Sequence, residues 1–146
     1  MDSQLKVLLD VTVILDAIVN ADESDGLSKE ILDLAAGGRI RGYVCAAAIE
    51  QVGDLLIRSS GSAAARSHLQ RILAILTVAP VDAATLDGAM SLGYPYLDDA
   101  LTAQAARQIN ADILLTLNTE DFDESPSHPS SPRFESPETF LRNLSN

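Results

Sequence analysis

The chain predicts an α/β domain, a three-layer sandwich with a central parallel sheet flanked by helices. Short apolar runs without alternation recur at residues 5–10, 41–46, 75–81 and 111–117. Each reads as a strand buried on both faces. Stretches with apolar residues at helical spacing lie between them, and strand–helix alternation is the signature of a parallel sheet. A length of 146 residues suits one domain spanning 1–146.

LKVLLD is the first strand. TVILDAIVN follows at once, with Val13, Ile14, Ala17 and Ile18 at helical spacing and Thr12 as the expected N-cap. Leu27, Ile31, Leu34 and Ala35 form a helical stripe that stops at Gly37 and Gly38. RGYVCA is the second strand, and AAAIEQVGDLLIRSS a helix with Ile49, Val52 and Leu56 on one face. SAAARSHLQRIL is helical and leads into the strand ILTVAPV. DAATLDGAMSLG is a helix capped by Asp82, and LDDALTAQAARQINA an Ala-rich helix before the strand ADILLTL. Residues 118–137 are rich in Ser and Pro and read as a loop, with a short edge strand around Arg133 to Glu135. PETFLRNL closes as a helix with Pro137 at its first position.

A chain of this size buries roughly 70% of its unfolded surface, enough for a core. Trp is absent and aromatics are 4%, so aliphatic and Ala packing must build it. No apolar stretch approaches the ~20 residues of a membrane helix. The opening MDSQLK has no basic lead, and Cys45 is the single cysteine. Together these predict a cytoplasmic protein with no membrane segment and no internal disulfide. Taken alone, the net charge of −11 argues against a nucleic-acid binder, because phosphate contacts favour basic surfaces. It suits a metal site, a basic partner or simple solubility.

The acids are placed suggestively. Ligands of open parallel sheets bind beyond the carboxyl ends of the strands. Asp10 ends the first strand, and Asp121 follows the ADILLTL strand. Asp98 and Asp99 fall in the first turn of one expected helix, Glu50 in the first turn of another. A helix N-terminus stabilises a carboxylate by roughly 0.3–1 kcal/mol, a sufficient reason for each of these three alone. Asp10 is more demanding, because a buried carboxylate needs a cation, a metal or strong donors. Lys6 and Lys29 are the only lysines. A divalent cation would satisfy several clustered acids together, and oxygen donors without a Cys/His set suit Mg²⁺ or Mn²⁺. His68 and His128 lack the close spacing of a zinc site.

LLDVTVILD, Glu50 in AAAIEQV, LDDALTAQAA, ILLTLNTEDF and the closing PETFL together resemble the PIN domain, in order and over essentially the whole chain. The resemblance implies a sheet ordered 3-2-1-4-5 and a ribonuclease dependent on Mg²⁺ or Mn²⁺. It implies Asp10, Glu50, Asp99 and Asp121 as the catalytic, metal-holding acids. Asp98, Thr12, Thr116 and Asn118 would orient water or carboxylates around them. Many bacterial members, the VapC-like group, are toxins of toxin–antitoxin pairs. They form homodimers and are restrained by a basic or amphipathic antitoxin. RNA is then the expected substrate and a basic antitoxin the expected partner.

The sequence departs from the family pattern at Val11, usually Thr, at Leu117, commonly Arg, and at Tyr96, where many members have another Asp. Val11 and Leu117 favour the alternative, a PIN-like nucleic-acid- or protein-binding module without catalysis. Three other classes fit less well. A haloacid-dehalogenase phosphatase needs an acid where Thr12 stands, and a receiver domain needs a late Lys. A dinucleotide-binding domain needs a glycine-rich turn after the first strand, which DVTVIL lacks.

Arg58, Arg66 and Arg71 are candidate phosphate contacts, although a solvated helix face is the ordinary reading. Cys45 and Met90 are expected to pack, and Asp22, Glu23 and Asp25 to form a solvated acidic loop. Tyr94, Pro95 and Tyr96 fit a structural turn, or a surface on which a base stacks, and turn chemistry favours the former. The nuclease reading requires the four core acids to meet in one cleft.

Overall fold

β1 (Lys6–Leu9) is the central strand, with β2 (Arg41–Cys45) on one side and β4 (Ile113–Leu115) on the other. β3 (Thr77–Ala79) extends the sheet beyond β2, and β5 (Arg133–Glu135) beyond β4. Every pairing is parallel and the order is β3-β2-β1-β4-β5. Leu8 aligns with Tyr43 on one side and Leu114 on the other. This computed structural model describes residues 4–20, 26–123 and 131–146.

Helices flank the sheet: α1 (Val11–Val19), α2 (Leu27–Ala36), α3 (Ala46–Ser60), α4 (Ser62–Ile75), α5 (Ala83–Met90), α6 (Leu97–Gln108), the single turn α7 (Glu120–Asp123) and α8 (Pro137–Ser145). Val7, Leu8, Leu9, Val44, Leu114 and Leu115 are fully buried, which explains strands without alternation. Alanine supplies much of the remaining core: Ala100, Ala103, Ala105 and Ala106 of α6 are all buried. Close approach is also built into β2. A Cβ on Gly42 would stand 2.5 Å from Leu76 Cδ2 and 3.0 Å from Ala35 Cβ, so a side chain there would collide.

The sequence expectations hold for all five strands, for Asp82 as a cap and for Pro137 in the first turn of the last helix. Four details differ. Asp10, not Thr12, caps α1, because the helix starts directly after β1 and the Asp10 carboxylate reaches the Val13 amide. α3 begins at Ala46, so Glu50 lies beyond its first turn and the helix end does not account for it. A helical turn, α7, interrupts the expected loop, since Asp121 and Phe122 donate backbone N–H groups to Asn118 and Thr119. Met90 is 74% exposed instead of packed. His128 and the acids Asp22, Glu23 and Asp25 lie outside the described residues. No described helix is long and apolar enough to cross a membrane.

Candidate active site

β1 has neighbours on both sides, and the chain passes from β1 to β2 in one direction and on to β4 in the other. The strand order therefore reverses here, where doubly wound sheets bind ligands. Asp10 leaves the end of β1, and its backbone N–H donates to Leu115 at the end of β4 (3.0 Å). A cleft of about 250 Å³ opens at this edge. Asp10, Asp98, Asp99 and Asp121 line it. The junction of β1 and α1 delivers the first, α6 the next two and α7 the last.

Asp10 is 6% exposed. Its Oδ1 accepts the Val13 N–H at 3.2 Å and the Thr12 hydroxyl. Burial still pushes its carboxyl above the usual range, against the opposing donors from Thr116, Thr12 and Val13. Asp99 is pushed up to about 6, first by burial, then by the charges of Asp98, Asp121 and Asp10. Asp99 is thus close enough to the other three aspartates to be repelled by them. Among the described residues, no three His, Cys, Asp or Glu side chains form a ready-made metal-holding group. What unites these acids is a shared cleft and the repulsion that the other three exert on Asp99. Their donor chemistry, carboxylate oxygen without sulfur or imidazole, fits a hard divalent cation that would relieve that repulsion.

Hydroxyls and amides knit the floor. Thr12 Oγ1 accepts the Leu117 N–H at 2.9 Å, and Thr116 Oγ1 accepts the Asn118 N–H at 3.0 Å. Thr12 and Asn118 line the cleft, and Thr116 is fully buried beneath it. Glu50 is exposed on α3 and is not among the lining residues, so three of the four expected core acids, Asp10, Asp99 and Asp121, meet in the cleft and the fourth place is taken by Asp98. Gln51, the neighbour of Glu50, is among them, and Gln51 Nε2 donates to Asp98 Oδ2 at 3.1 Å. Thr102 also lines the cleft and donates to the Asp98 carbonyl at 3.0 Å. Neither was singled out from the sequence. For Gln51 the only available signal was its place one step around the helix from Glu50.

The tyrosines separate. Tyr94 is half-buried, edge-on to Phe122 with ring centres 5.6 Å apart, while Tyr96 is 66% exposed and lines the cleft. Arg58, Arg66 and Arg71 are exposed, and none lines the cleft. Arg71 and His68 instead line a separate groove of about 130 Å³ with Lys29 and Asp33. Cys45 is fully buried, as expected, with its thiol pushed up by burial.

A parallel sheet of this order with an acid-lined cleft at its reversal point defines a class of α/β domain. The sequence profile of the PIN domain matches residues 6–120, and the chain belongs to that family. No curated protein sequence matches it. Among solved structures, it is similar to VapBC2 of Rickettsia felis bound to a fragment of promoter DNA. The TM-score is 0.71 at 18% identity, over 90% of this chain and 98% of that one. It is equally similar to DNA-bound VapBC of Salmonella typhimurium, with TM-score 0.71 and 18% identity over 92% and 99% of the chains. VapC20 of Mycobacterium tuberculosis, described as a toxin cleaving the sarcin–ricin loop, gives 0.63 at 16% identity over 82% and 99%. At these identities the likeness is one of fold.

Proposed function

We propose that this chain is a ribonuclease dependent on Mg²⁺ or Mn²⁺ and the toxin of a toxin–antitoxin pair. The observation that carries the proposal is the meeting of Asp10, Asp98, Asp99 and Asp121 in one cleft, with Asp99 pushed up to about 6 first by burial and then by the charges of the other three. Asp10, Asp99 and Asp121 would hold the cation. Asp98 stands beside them with one oxygen on Gln51 and the other on the Asp99 N–H (2.9 Å). Glu50, outside the cleft lining, takes the weakest part. A bound divalent cation supplies a lowered pKa for water and neutralises charge on a scissile phosphate. Thr12 fixes the Asp10 carboxylate, and Thr116 and Asn118 fix the loop that leads to Asp121.

The net charge of −11 supports a basic antitoxin as partner, and the VapBC complexes among the similar structures support the same reading. A homodimer acting in the cytoplasm completes it. The second reading, a module without catalysis, is favoured by Val11 and Leu117 at motif positions and by acids not gathered into a ready-made metal group.

Calorimetric titration with Mn²⁺ separates the two, and needs no choice of substrate. Saturable binding by the wild type that falls at least tenfold in Asp99→Asn is expected, a loss on the scale of removing a metal-site group. Cleavage of RNA by the wild type in Mn²⁺, abolished in the same variant, completes the test. Absence of Mn²⁺ binding, or equal binding by the variant, would sink the nuclease reading in favour of the binding module.

A further inference from the structure

Among the described residues, the cleft is lined by four carboxylates and by no Lys or Arg. Its grip on a polyanion therefore cannot come from ion pairing with its own walls. The chain has three Tyr, three Phe and no Trp. Tyr43, Phe122 and Phe140 are buried, and Tyr94 and Phe134 are half-buried against the core. Phe122 stacks on Phe134 (5.2 Å between ring centres, 15°) and takes Tyr94 edge-on. Tyr96 alone is exposed, and it stands in the cleft wall as the N-cap of α6, immediately before Leu97, Asp98 and Asp99. Its side chain makes no capping hydrogen bond, so the ring is not there to close the helix.

We propose that Tyr96 is a substrate-binding residue, the platform on which a nucleobase of single-stranded RNA stacks beside the aspartates. This rests on the ribonuclease reading and adds how the strand is held. A tyrosine ring binds a base through its face without needing a cation, which suits a cleft whose charge repels phosphate. Such stacking tolerates any base, so it supplies affinity and register more than sequence choice. The strand would lie with one base on the Tyr96 ring and the adjoining phosphate toward Asp99 and Asp10.

Fluorescence anisotropy of a labelled oligoadenylate tests this in Mn²⁺, with steady-state cleavage of the same oligonucleotide. Tyr96→Ala is expected to weaken binding about tenfold and to raise KM more than it lowers kcat. Tyr96→Phe, which keeps the ring, should stay within about twofold of the wild type. Mn²⁺ affinity and sedimentation mass should be unchanged in both. Unchanged RNA binding by Tyr96→Ala would overturn the proposal, as would equal loss in Tyr96→Phe. A drop in mass in Tyr96→Ala would also overturn it, by assigning the ring to a contact between copies. These outcomes leave the ribonuclease reading intact if the wild type cleaves. A wild type that neither binds nor cleaves RNA overturns both.

Discussion

Thr12 and Leu117, 105 residues apart, are joined by a hydrogen bond from the Leu117 N–H to Thr12 Oγ1 at 2.9 Å. The same hydroxyl donates to Asp10. One side chain thus fixes the loop leaving β4 to the carboxylate leaving β1, across the reversal point of the sheet. An Asp ending a buried strand is explained in part by ordinary donors. They offset its burial without cancelling it, because the Asp10 carboxyl stays raised.

Thr12→Val keeps the shape and removes both bonds. It should cost about 1–2 kcal/mol by urea denaturation and weaken Mn²⁺ binding several-fold. Thr12→Ser keeps the hydroxyl and should behave as the wild type in both measurements. Equal behaviour of the two variants would show that the hydroxyl does not organise the site.

Asp99 gives a pH signature. Its folded pKa, about 6, lies above the ~3.9 of an unfolded Asp. Between those values the folded chain keeps a proton that the unfolded chain has released. This group's contribution to stability is therefore full below the unfolded pKa and is lost as pH rises through about 6. In metal-free buffer, Asp99→Asn should gain on the wild type as pH climbs through that window, read as a rising difference in Tm. Mn²⁺ binding runs the other way, since it needs the carboxylate. Affinity should climb through about pH 6, with a proton released on binding below it, detectable by calorimetry in buffers of different ionisation enthalpy. An affinity flat from about pH 5 to 7 would contradict the assignment of Asp99.

How much of this was readable beforehand follows from where each signal lies. Apolar runs such as Val7 to Leu9 and Ile113 to Leu115 read as buried strands because they are too short for a buried helix and alternate with helical stretches. The meeting of Asp10, Asp99 and Asp121 in one cleft was legible from motif order together with the sheet order, whereas Glu50 was expected there as the fourth and Asp98 stands in its place. α7 was not, since one polar turn has no periodicity to read. The cap of α1 was misplaced because Asp10 and Thr12 both make good caps, and only the abrupt exit from β1 decides between them. Gln51 was hidden by Glu50, the charged neighbour that drew attention while pointing to solvent. The two tyrosines could not be separated without knowing that Phe122 would fold back between Tyr94 and Phe134.

That aromatic contact carries the last prediction. Phe122 is 1% exposed and follows Asp121 directly. It stacks on Phe134 of β5 and meets Tyr94, which precedes α6 with its two aspartates. The ring therefore ties the segment bearing Asp121 to the segment bearing Asp98 and Asp99. Phe122→Ala should cost about 3–5 kcal/mol, the usual scale for a buried aromatic, measured by urea denaturation. Phe122→Leu refills most of the space and should cost about half that. If the ring also sets the placement of Asp121, Mn²⁺ affinity of the folded protein falls more in Phe122→Ala than in Phe122→Leu. Affinity unchanged in both, despite the lost stability, would mean that α7 finds its position from its backbone bonds to Asn118 and Thr119 alone.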